Sequence, residues 1–181
     1  MNRNEAWSLV QSQVGNRNLQ KHMLATEACL RGLARRLQED EEKWGLAGLV
    51  HDVDYEQTKD DTEKHGVVGA EMLTEKGLEQ DVIHAVLAHV GRVPAESKLD
   101  KALYAADPIT GLIVAAALMH PTKKLADVDV EFVMRRYGEK RFAAGANREQ
   151  IATCSGIGLT LEEFTGICLD AMKNIAPDLG L

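Results

Sequence analysis

The residues best suited to chemistry in this sequence are histidines and aspartates, beginning with the adjacent pair His51 and Asp52. In the sequence LAGLVHDVDYE the pair follows the apolar residues LAGLV, at the end of a predicted helix. Because adjacent residues on an α-helix point about 100° apart, the imidazole and the carboxylate can bind one metal ion together, or the carboxylate can reach a second ion. The alternative is that the pair is the C-terminus of a helix that meets solvent, and the pair alone does not decide between them.

His22 indicates that the pair is not isolated. On a helix over residues 19–38, apolar side chains recur with the helical period, and His22 lies about 50° from the centre of that apolar stripe. We therefore expect its imidazole to face the core. A buried histidine that is bonded to backbone or to a carboxylate would give the same pattern, so this alternative stays open for His22 alone.

His65 is a further candidate ligand, and it is predicted to begin a helix in the segment KHGVVGAEML. Gly66 and Gly69 carry no side chain, so another helix or a ligand can come close to this helix. The alternative is a surface histidine near a helix N-terminus.

The remaining histidines differ in their suitability as ligands. His84 and His89 share one predicted helix but point about 140° apart. His89 lies nearer to the buried side of that helix, so it is the better candidate, and His84 is predicted to be a surface residue. His120 stands near a helix end and is interpreted as structural or exposed.

Asp107 is notable because it lies in the apolar segment ALYAADPITGLI. Burying a carboxylate there is costly unless it caps a helix, forms an ion pair or binds a metal. Pro108 follows it, so either a helix kinks at the proline or Asp107 caps a new helix with Pro108 in its first position. Both alternatives let Asp107 turn inward, and capping alone would also explain it. The joint pattern of four histidines and two aspartates beside apolar faces is hard to assign to chance.

Nearly every segment that must position these residues follows the helical period, and none alternates convincingly as a strand. The sequence therefore predicts an all-α fold. Asn18 and Asp40 are predicted N-caps, Thr160 and Glu163 form a predicted capping box, and residues 57–63 are predicted to be a loop. The predicted helices cover residues 4–14, 19–38, 41–51, 64–76, 79–90, 98–119, 130–137, 148–155 and 160–175.

Length and charge limit the function. A chain of 181 residues with 45% hydrophobic residues suits a single domain with a real core. The net charge of −7 argues against binding of extended nucleic acid, which requires clustered lysine and arginine. It leaves room for a small phosphorylated ligand, which needs only a local basic pocket or a metal.

Cysteine usage and hydropathy indicate a cytoplasmic protein without a membrane partner. The three cysteines show no metal-ligand spacing and are expected to be free thiols in a reducing compartment. The N-terminal segment lacks the apolar region of a secretory signal. The longest apolar stretch, residues 109–119, is interpreted as too short to span a bilayer.

The ordered set of residues resembles the HD-domain superfamily of metal-dependent phosphohydrolases, in particular its short bacterial HD/HDIG-type predicted hydrolases. HGVVGAEML around His65 and AVLAHVG around His89 resemble the extra histidine segments of binuclear members, and LDKALYAADPITGL resembles the final-aspartate segment. The four defining positions of the superfamily are matched by His22, His51, Asp52 and Asp107. We therefore expect one HD-type helical bundle over residues 1–181, with an HD core at about 17–119 and accessory C-terminal helices at about 120–181.

The resemblance implies a centre with one or two divalent transition metals, namely Fe, Mn, Co, Ni or Zn. The first metal would take His22, His51, Asp52 and Asp107. A second metal would take His65, His89 and the other oxygen of a bridging Asp52. A metal-activated hydroxide would then cleave a phosphoester or phosphoanhydride of a small substrate such as a nucleotide.

Two further residues are predicted to take part beside Asp52. Asp54 is a candidate for orienting water or a metal ligand. Arg92 is a candidate for a phosphate contact, with a solvated loop arginine as the alternative. Signalling phosphodiesterases of the superfamily often continue the His-Asp pair with Ile-Gly-Lys, whereas this chain has Val53, Asp54 and Tyr55. The missing lysine disfavours hydrolysis of cyclic dinucleotides.

Two other functions are compatible with the same residues. Some HD proteins use a similar ligand set with two irons to oxidise a substrate with dioxygen. A non-catalytic module that binds metal or a nucleotide is the other alternative, although such a module has no need for six metal ligands.

Overall fold

The computed structural model describes residues 1–181 and contains helices but no strand, which confirms the predicted all-α class. Two 3-10 turns, at Leu125–Asp127 and Thr153–Ile157, supplement the α-helices. The α-helices are α1 (Arg3–Gln13), α2 (Arg17–Leu37), α3 (Glu41–Val50), α4 (Tyr55–Thr58), α5 (Val67–Glu75), α6 (Gln80–His89), α7 (Lys98–Met119), α8 (Val130–Gly138), α9 (Arg148–Ala152), α10 (Leu161–Lys173) and α11 (Ala176–Leu179).

Most predicted helix ends lie within a few residues of the observed ones. Asp40 caps α3, and Thr160 forms a capping box with Glu163 at the start of α10, as predicted. The prediction of Asn18 as a cap is wrong, because the side chain of Asn16 accepts the hydrogen bonds at the start of α2. The first two residues of the predicted loop at 57–63 belong instead to the helical turn α4.

The prediction that His65 begins a helix is also wrong. Helix α5 starts at Val67, and Gly66 precedes it with a φ of 80°. This left-handed conformation favours glycine, and it ends the preceding turn so that His65 lies outside the helix. The side chain of His65 is thus set by a turn between α4 and α5.

Helix α7 runs without interruption through Pro108, so the interpretation of Asp107 as the cap of a new helix is wrong. Proline has no N–H and cannot donate to the carbonyl four residues earlier, which here belongs to Tyr104. That carbonyl instead accepts a hydrogen bond of 2.8 Å from Nε2 of Gln150 on α9. The Gln150 side chain therefore replaces the hydrogen bond that the proline cannot form.

Helix α7 is long and apolar enough to cross a membrane by length and composition, with 22 residues and a mean hydropathy of 1.7 in its most apolar window. The sequence interpretation, which counted only residues 109–119, underestimated it. In the fold, 61% of that window is buried, and α7 packs against α2, α6, α8, α9 and α10. Its burial at the centre of the protein accounts for its apolar composition.

The position of His51 depends on the close packing of α2 and α3. A Cβ atom added at Gly48 of α3 would lie 2.7 Å from the backbone oxygen of Thr26 on α2, a distance that no side chain permits. The two helices therefore approach backbone to backbone. The same continuous core includes Leu30 of α2, Ile113 of α7 and Phe164 of α10, so the C-terminal helices pack directly on the elements that position the site.

Candidate metal centre

All six predicted metal ligands converge at one place between the helices. They come from α2, from the end of α3, from the turns on either side of α4, from the end of α6 and from the middle of α7. The rings of neighbouring histidines lie edge to face, with centroids 5.0 to 5.5 Å apart. The converging residues are His22, His51, Asp52, His65, His89 and Asp107.

One group of donor atoms forms around His22. Its Nε2 lies 3.1 Å from Nε2 of His51 and 3.1 Å from Oδ1 of Asp107. Oδ2 of Asp52 lies 3.7 Å from Nε2 of His22 and 3.5 Å from Nε2 of His51. Donor atoms that bind one ion at about 2.0–2.2 Å are themselves roughly 3–4 Å apart, so this group has the spacing of a metal site.

A second group forms on the other side of Asp52. Its Oδ1 lies 3.4 Å from Nε2 of His65 and 3.4 Å from Nε2 of His89. The two oxygens of one carboxylate therefore face two different histidine pairs. Nitrogen and oxygen donors of this kind fit a divalent transition metal in either group.

The chain also fixes the orientation of every histidine ring. Each Nδ1 faces an acceptor away from the centre, so in the neutral ring Nε2 directs its lone pair towards the other donors. The acceptors are Thr110 Oγ1 at 2.9 Å for His22, the Gly48 oxygen at 2.8 Å for His51, Asp54 Oδ1 at 3.0 Å for His65 and the Val86 oxygen at 2.5 Å for His89.

Asp54, predicted to orient water or a ligand, is fully buried behind His65. Its Oδ2 accepts hydrogen bonds of 2.9 Å from the backbone N–H groups of Gly66 and Gly69, and its Oδ1 faces Nδ1 of His65. The carboxylate thus joins the turn after Asp52 to the start of α5 and holds the His65 ring from behind.

Arg92, predicted to contact phosphate, is engaged by the loop before His65. Its guanidinium pairs with Glu63 at 3.1 Å and donates to the backbone oxygens of Thr62 and His65. These bonds use three of the five N–H donors of the guanidinium and direct it to the loop. The phosphate contact therefore stays a prediction that the geometry does not favour, and the visible role of Arg92 is to hold the loop.

His84 and His120 lie outside the centre, in keeping with their interpretation from the sequence. His84 Nδ1 lies 3.0 Å from Oδ2 of Asp100, and its side chain is 37% exposed. His120 bonds to Thr122, and its ring packs against Phe132. Both histidines have local partners and no second ligand.

The electrostatics of the centre keep its carboxylates charged. Burial alone would raise the pKa of Asp52, but His51, His65 and His89 hold it well below its usual range. Burial likewise opposes ionisation of Asp107, yet His22 lowers its pKa. Two carboxylates with depressed pKa values, one buried and one partly exposed, give a centre that attracts cations.

The pKa values of the histidines at the centre are shifted in different directions. Burial lowers the pKa of His51 to about 4, so this ring is neutral at physiological pH. Burial also opposes the charged form of His65, but Asp52 and Asp54 outweigh it and raise the pKa to about 9. For His22 the Asp107 carboxylate outweighs burial and raises the pKa. In the absence of a metal, protons on His65 and His22 thus partly balance the carboxylates.

Sequence reasoning missed two residues at the centre. The Thr110 hydroxyl accepts from His22 and donates to the backbone oxygen of Asp107 at 2.8 Å, and it is buried. Its signal was a hydroxyl one helical turn after Asp107 on an apolar helix. Tyr55 packs edge-on against the His65 ring at 5.2 Å and is 43% exposed. Nothing in the sequence marked it beyond its place after Asp54.

Comparisons with known proteins agree with this geometry. The HD domain family matches residues 19–117, the segment that contains all six donors. The chain is similar to ribonuclease Y from Oleidesulfovibrio alaskensis, with 30% identity over 167 residues, covering 91% of this chain and 32% of the relative. It is also similar to ribonuclease Y from Sulfurovum sp., with 28% identity over 135 residues, covering 73% of this chain and 26% of the relative.

The chain spans about a third of the length of the curated relatives it matches. No solved structure gives a significant match.

Proposed function

Because this chain belongs to the HD domain family, we propose that it is a metal-dependent phosphohydrolase that acts on a small phosphorylated substrate. The observation that carries the proposal is the division of the Asp52 carboxylate. One oxygen lies 3.4 Å from each of His65 and His89, and the other faces His22 and His51 at 3.7 and 3.5 Å. A carboxylate between two histidine pairs is suited to hold two cations at once.

The donors fit Fe, Mn, Co, Ni or Zn, which when bound supply a Lewis acid for phosphoryl oxygens and lower the pKa of coordinated water. The side chains that would hold the metals differ in their exposure to solvent. His51 and His89 are buried and form the floor, whereas His22, His65 and Asp107 are partly exposed and form the accessible edge. A phosphate group would therefore approach across His22, Asp107 and His65.

We propose that the substrate is a small phosphoester or phosphoanhydride such as a nucleotide. The net charge of −7 supports this class over an extended polynucleotide, which binds through clustered cations. The likeness to ribonuclease Y gives a second candidate, cleavage of an RNA phosphodiester. Both reactions break a bond from phosphorus to oxygen, so the same centre would serve either.

The test combines metal analysis of anaerobically purified protein with a panel of substrates. The panel contains nucleoside mono-, di- and triphosphates, p-nitrophenyl phosphate, bis(p-nitrophenyl) phosphate and a short end-labelled RNA. We expect bound transition metal and metal-dependent turnover of at least one small phosphoester. Cleavage of RNA alone would favour the second candidate.

Two histidine variants make the test specific. His89→Gln removes a donor at the end of α6, and we expect it to lose metal and turnover. His120→Gln changes a histidine outside the centre and is the matched control, which we expect to keep both. Equal turnover in the two variants would contradict the proposal.

The two alternative functions give different results in the same preparation. Oxygen consumption by the iron-loaded protein would favour a di-iron oxygenase. Tight metal retention without turnover of any phosphoester would favour a binding module. We also propose a cytoplasmic location, which is in keeping with three free and buried cysteines.

A further inference from the structure

Two adjoining cavities meet beside the metal centre, and both are lined by His22 and Gly111. The first, of about 360 Å³, also contacts Asp107, Pro108 and the segment around Ala143. It therefore opens directly on the partly exposed ligands of the centre. Its outer wall comes from the C-terminal part of the chain, for which sequence reasoning gave no role.

The second cavity, of about 440 Å³, is mainly apolar. Val114 and Leu118 of α7 line one side of it, and Leu179 of α11 lines another. Leu118 is 52% exposed, an unusual position for a large apolar side chain. Each cavity has a size that suits a small organic ligand rather than a polymer.

Gly111 is an unexpected residue at this place. It lies inside the 22-residue helix α7, where glycine destabilises the helix relative to alanine. The glycines inside α2 and α3 have a packing reason, because a Cβ atom at Gly32, Gly45 or Gly48 would come within 3.3 Å of a neighbouring group. A Cβ atom at Gly111 would meet nothing within 4 Å. The fold therefore does not require glycine here, and Gly111 leaves open, exposed space where the two cavities adjoin.

We propose that Gly111 is a specificity-determining position for a phosphate ester with a compact apolar organic group. The phosphate lies at His22 and Asp107, and the organic group crosses Gly111 to pack against Val114, Leu118 and Leu179. This inference rests on the proposed phosphohydrolase function and adds the class of substrate.

Lys21 supports an anionic ligand in this cleft. It lines the second cavity next to His22, and its ammonium nitrogen lies beside Gly180. Its ammonium group lines the cavity assigned to the organic group and not the one beside Asp107, so in a protein of net charge −7 it attracts a phosphorylated molecule to the cleft rather than holding its phosphate. The apolar walls then select among such molecules by the shape of the organic group.

The experiment uses two phosphonates that cannot be hydrolysed, methylphosphonate and phenylphosphonate, with the Mn²⁺-loaded full chain. We expect phenylphosphonate to bind about tenfold more tightly in calorimetry, because its ring buries apolar surface in the second cavity. In Gly111→Leu this preference should disappear, while the metal content and the affinity for methylphosphonate stay within about twofold. Gly138→Leu is the matched control. A Cβ atom at Gly138 would also meet nothing within 4 Å, but this residue lies on α8 outside the cleft. The variant should therefore keep the preference for phenylphosphonate.

Gly111→Ala checks the reason for the glycine. We expect this variant to unfold at the same or a higher temperature than the natural chain, because alanine favours the helix. A lower melting temperature would show that the fold itself needs glycine and would overturn the inference. Equal affinity of the natural chain for both phosphonates would also overturn it, while leaving the phosphohydrolase proposal intact. Failure to bind either phosphonate would instead reject the proposed function.

Discussion

Helix α2 contributes residues to two groups of charged side chains, and the two groups differ in how their charges are balanced. The first is the metal centre, to which α2 contributes His22. The second is the arginine network, defined here as Arg3, Glu27, Arg31 and Glu42. In that network Arg3 contacts the Glu27 carboxylate at 2.7 and 2.9 Å, Arg31 contacts it at 3.0 Å, and Arg31 also binds Glu42 at 2.8 and 3.0 Å.

The arginine network is complete, because every buried acceptor in it faces a guanidinium. In the metal centre nitrogen and oxygen donors face each other, and the Asp52 and Asp107 carboxylates pair with histidines rather than with a lysine or an arginine. Burying charge is costly unless it is paired. The comparison teaches that one group of α2 serves stability by itself, whereas the other has the form of a site that receives cations.

The largest effect is expected from Asp52→Ala in the metal centre. Removal of the carboxylate takes one oxygen from each histidine pair, so metal retention should be abolished. Turnover of a phosphoester should fall roughly a thousandfold or more, since bound metal supplies several kcal/mol of transition-state stabilisation. Elemental analysis and phosphate release measure the two effects. Activity that survives this change would reject the bridging role of Asp52.

A smaller loss is expected when a residue behind a ligand is changed. Asp54→Asn weakens the support of the His65 ring, and Thr110→Val removes the acceptor for His22. Metal affinity should fall about 10- to 100-fold in each variant, as measured by titration with Mn²⁺. Unchanged metal affinity in both would mean that the rings are held by packing alone.

In the arginine network the same kind of change should affect stability and leave the centre intact. Glu27→Gln leaves Arg3 and Arg31 without their shared carboxylate and should lower the free energy of unfolding by about 2 kcal/mol. Urea unfolding measures this loss. Metal content per folded molecule should match the natural chain, and a large decrease would show that the two groups are coupled through α2.

The smallest effect concerns pH, to which the metal centre should respond and the arginine network should not. Since His65 has a raised pKa of about 9 without metal, its positive charge stabilises the metal-free protein fully below about pH 6.5, and this contribution is lost as the pH rises through about 9. At pH 7 a metal must displace this proton, so affinity should fall as the pH falls. Calorimetry in buffers of different ionisation enthalpy measures the proton release.

The arginine network provides the reference for that pH experiment. The pKa of Arg31 is raised by Glu42 and Glu27, so its charge does not change between pH 6 and 9. Metal binding without proton release would contradict the protonation of His65 that the geometry implies.

The helices and the set of converging residues were predictable because both depend on local pattern. Apolar periodicity placed α2, α3, α6 and α7, and the same faces indicated His22 and His89. The roles of Asp54 and Arg92 were less accessible. Asp54 bonds to backbone groups 12 and 15 residues later, and Arg92 bonds to a loop about 30 residues earlier. Contacts of this range depend on how turns are arranged in space, which no periodicity encodes.

The bond from Gln150 to the backbone oxygen of Tyr104 has a consequence for the architecture of the centre. Tyr104 lies one turn before Asp107, so a residue of α9, 46 positions later in the sequence, braces the helix that presents this aspartate. A shortened chain that ended after α7 would expose this oxygen and loosen the helix at its proline. Through this bond a helix that follows the HD segment supports the helix that presents Asp107.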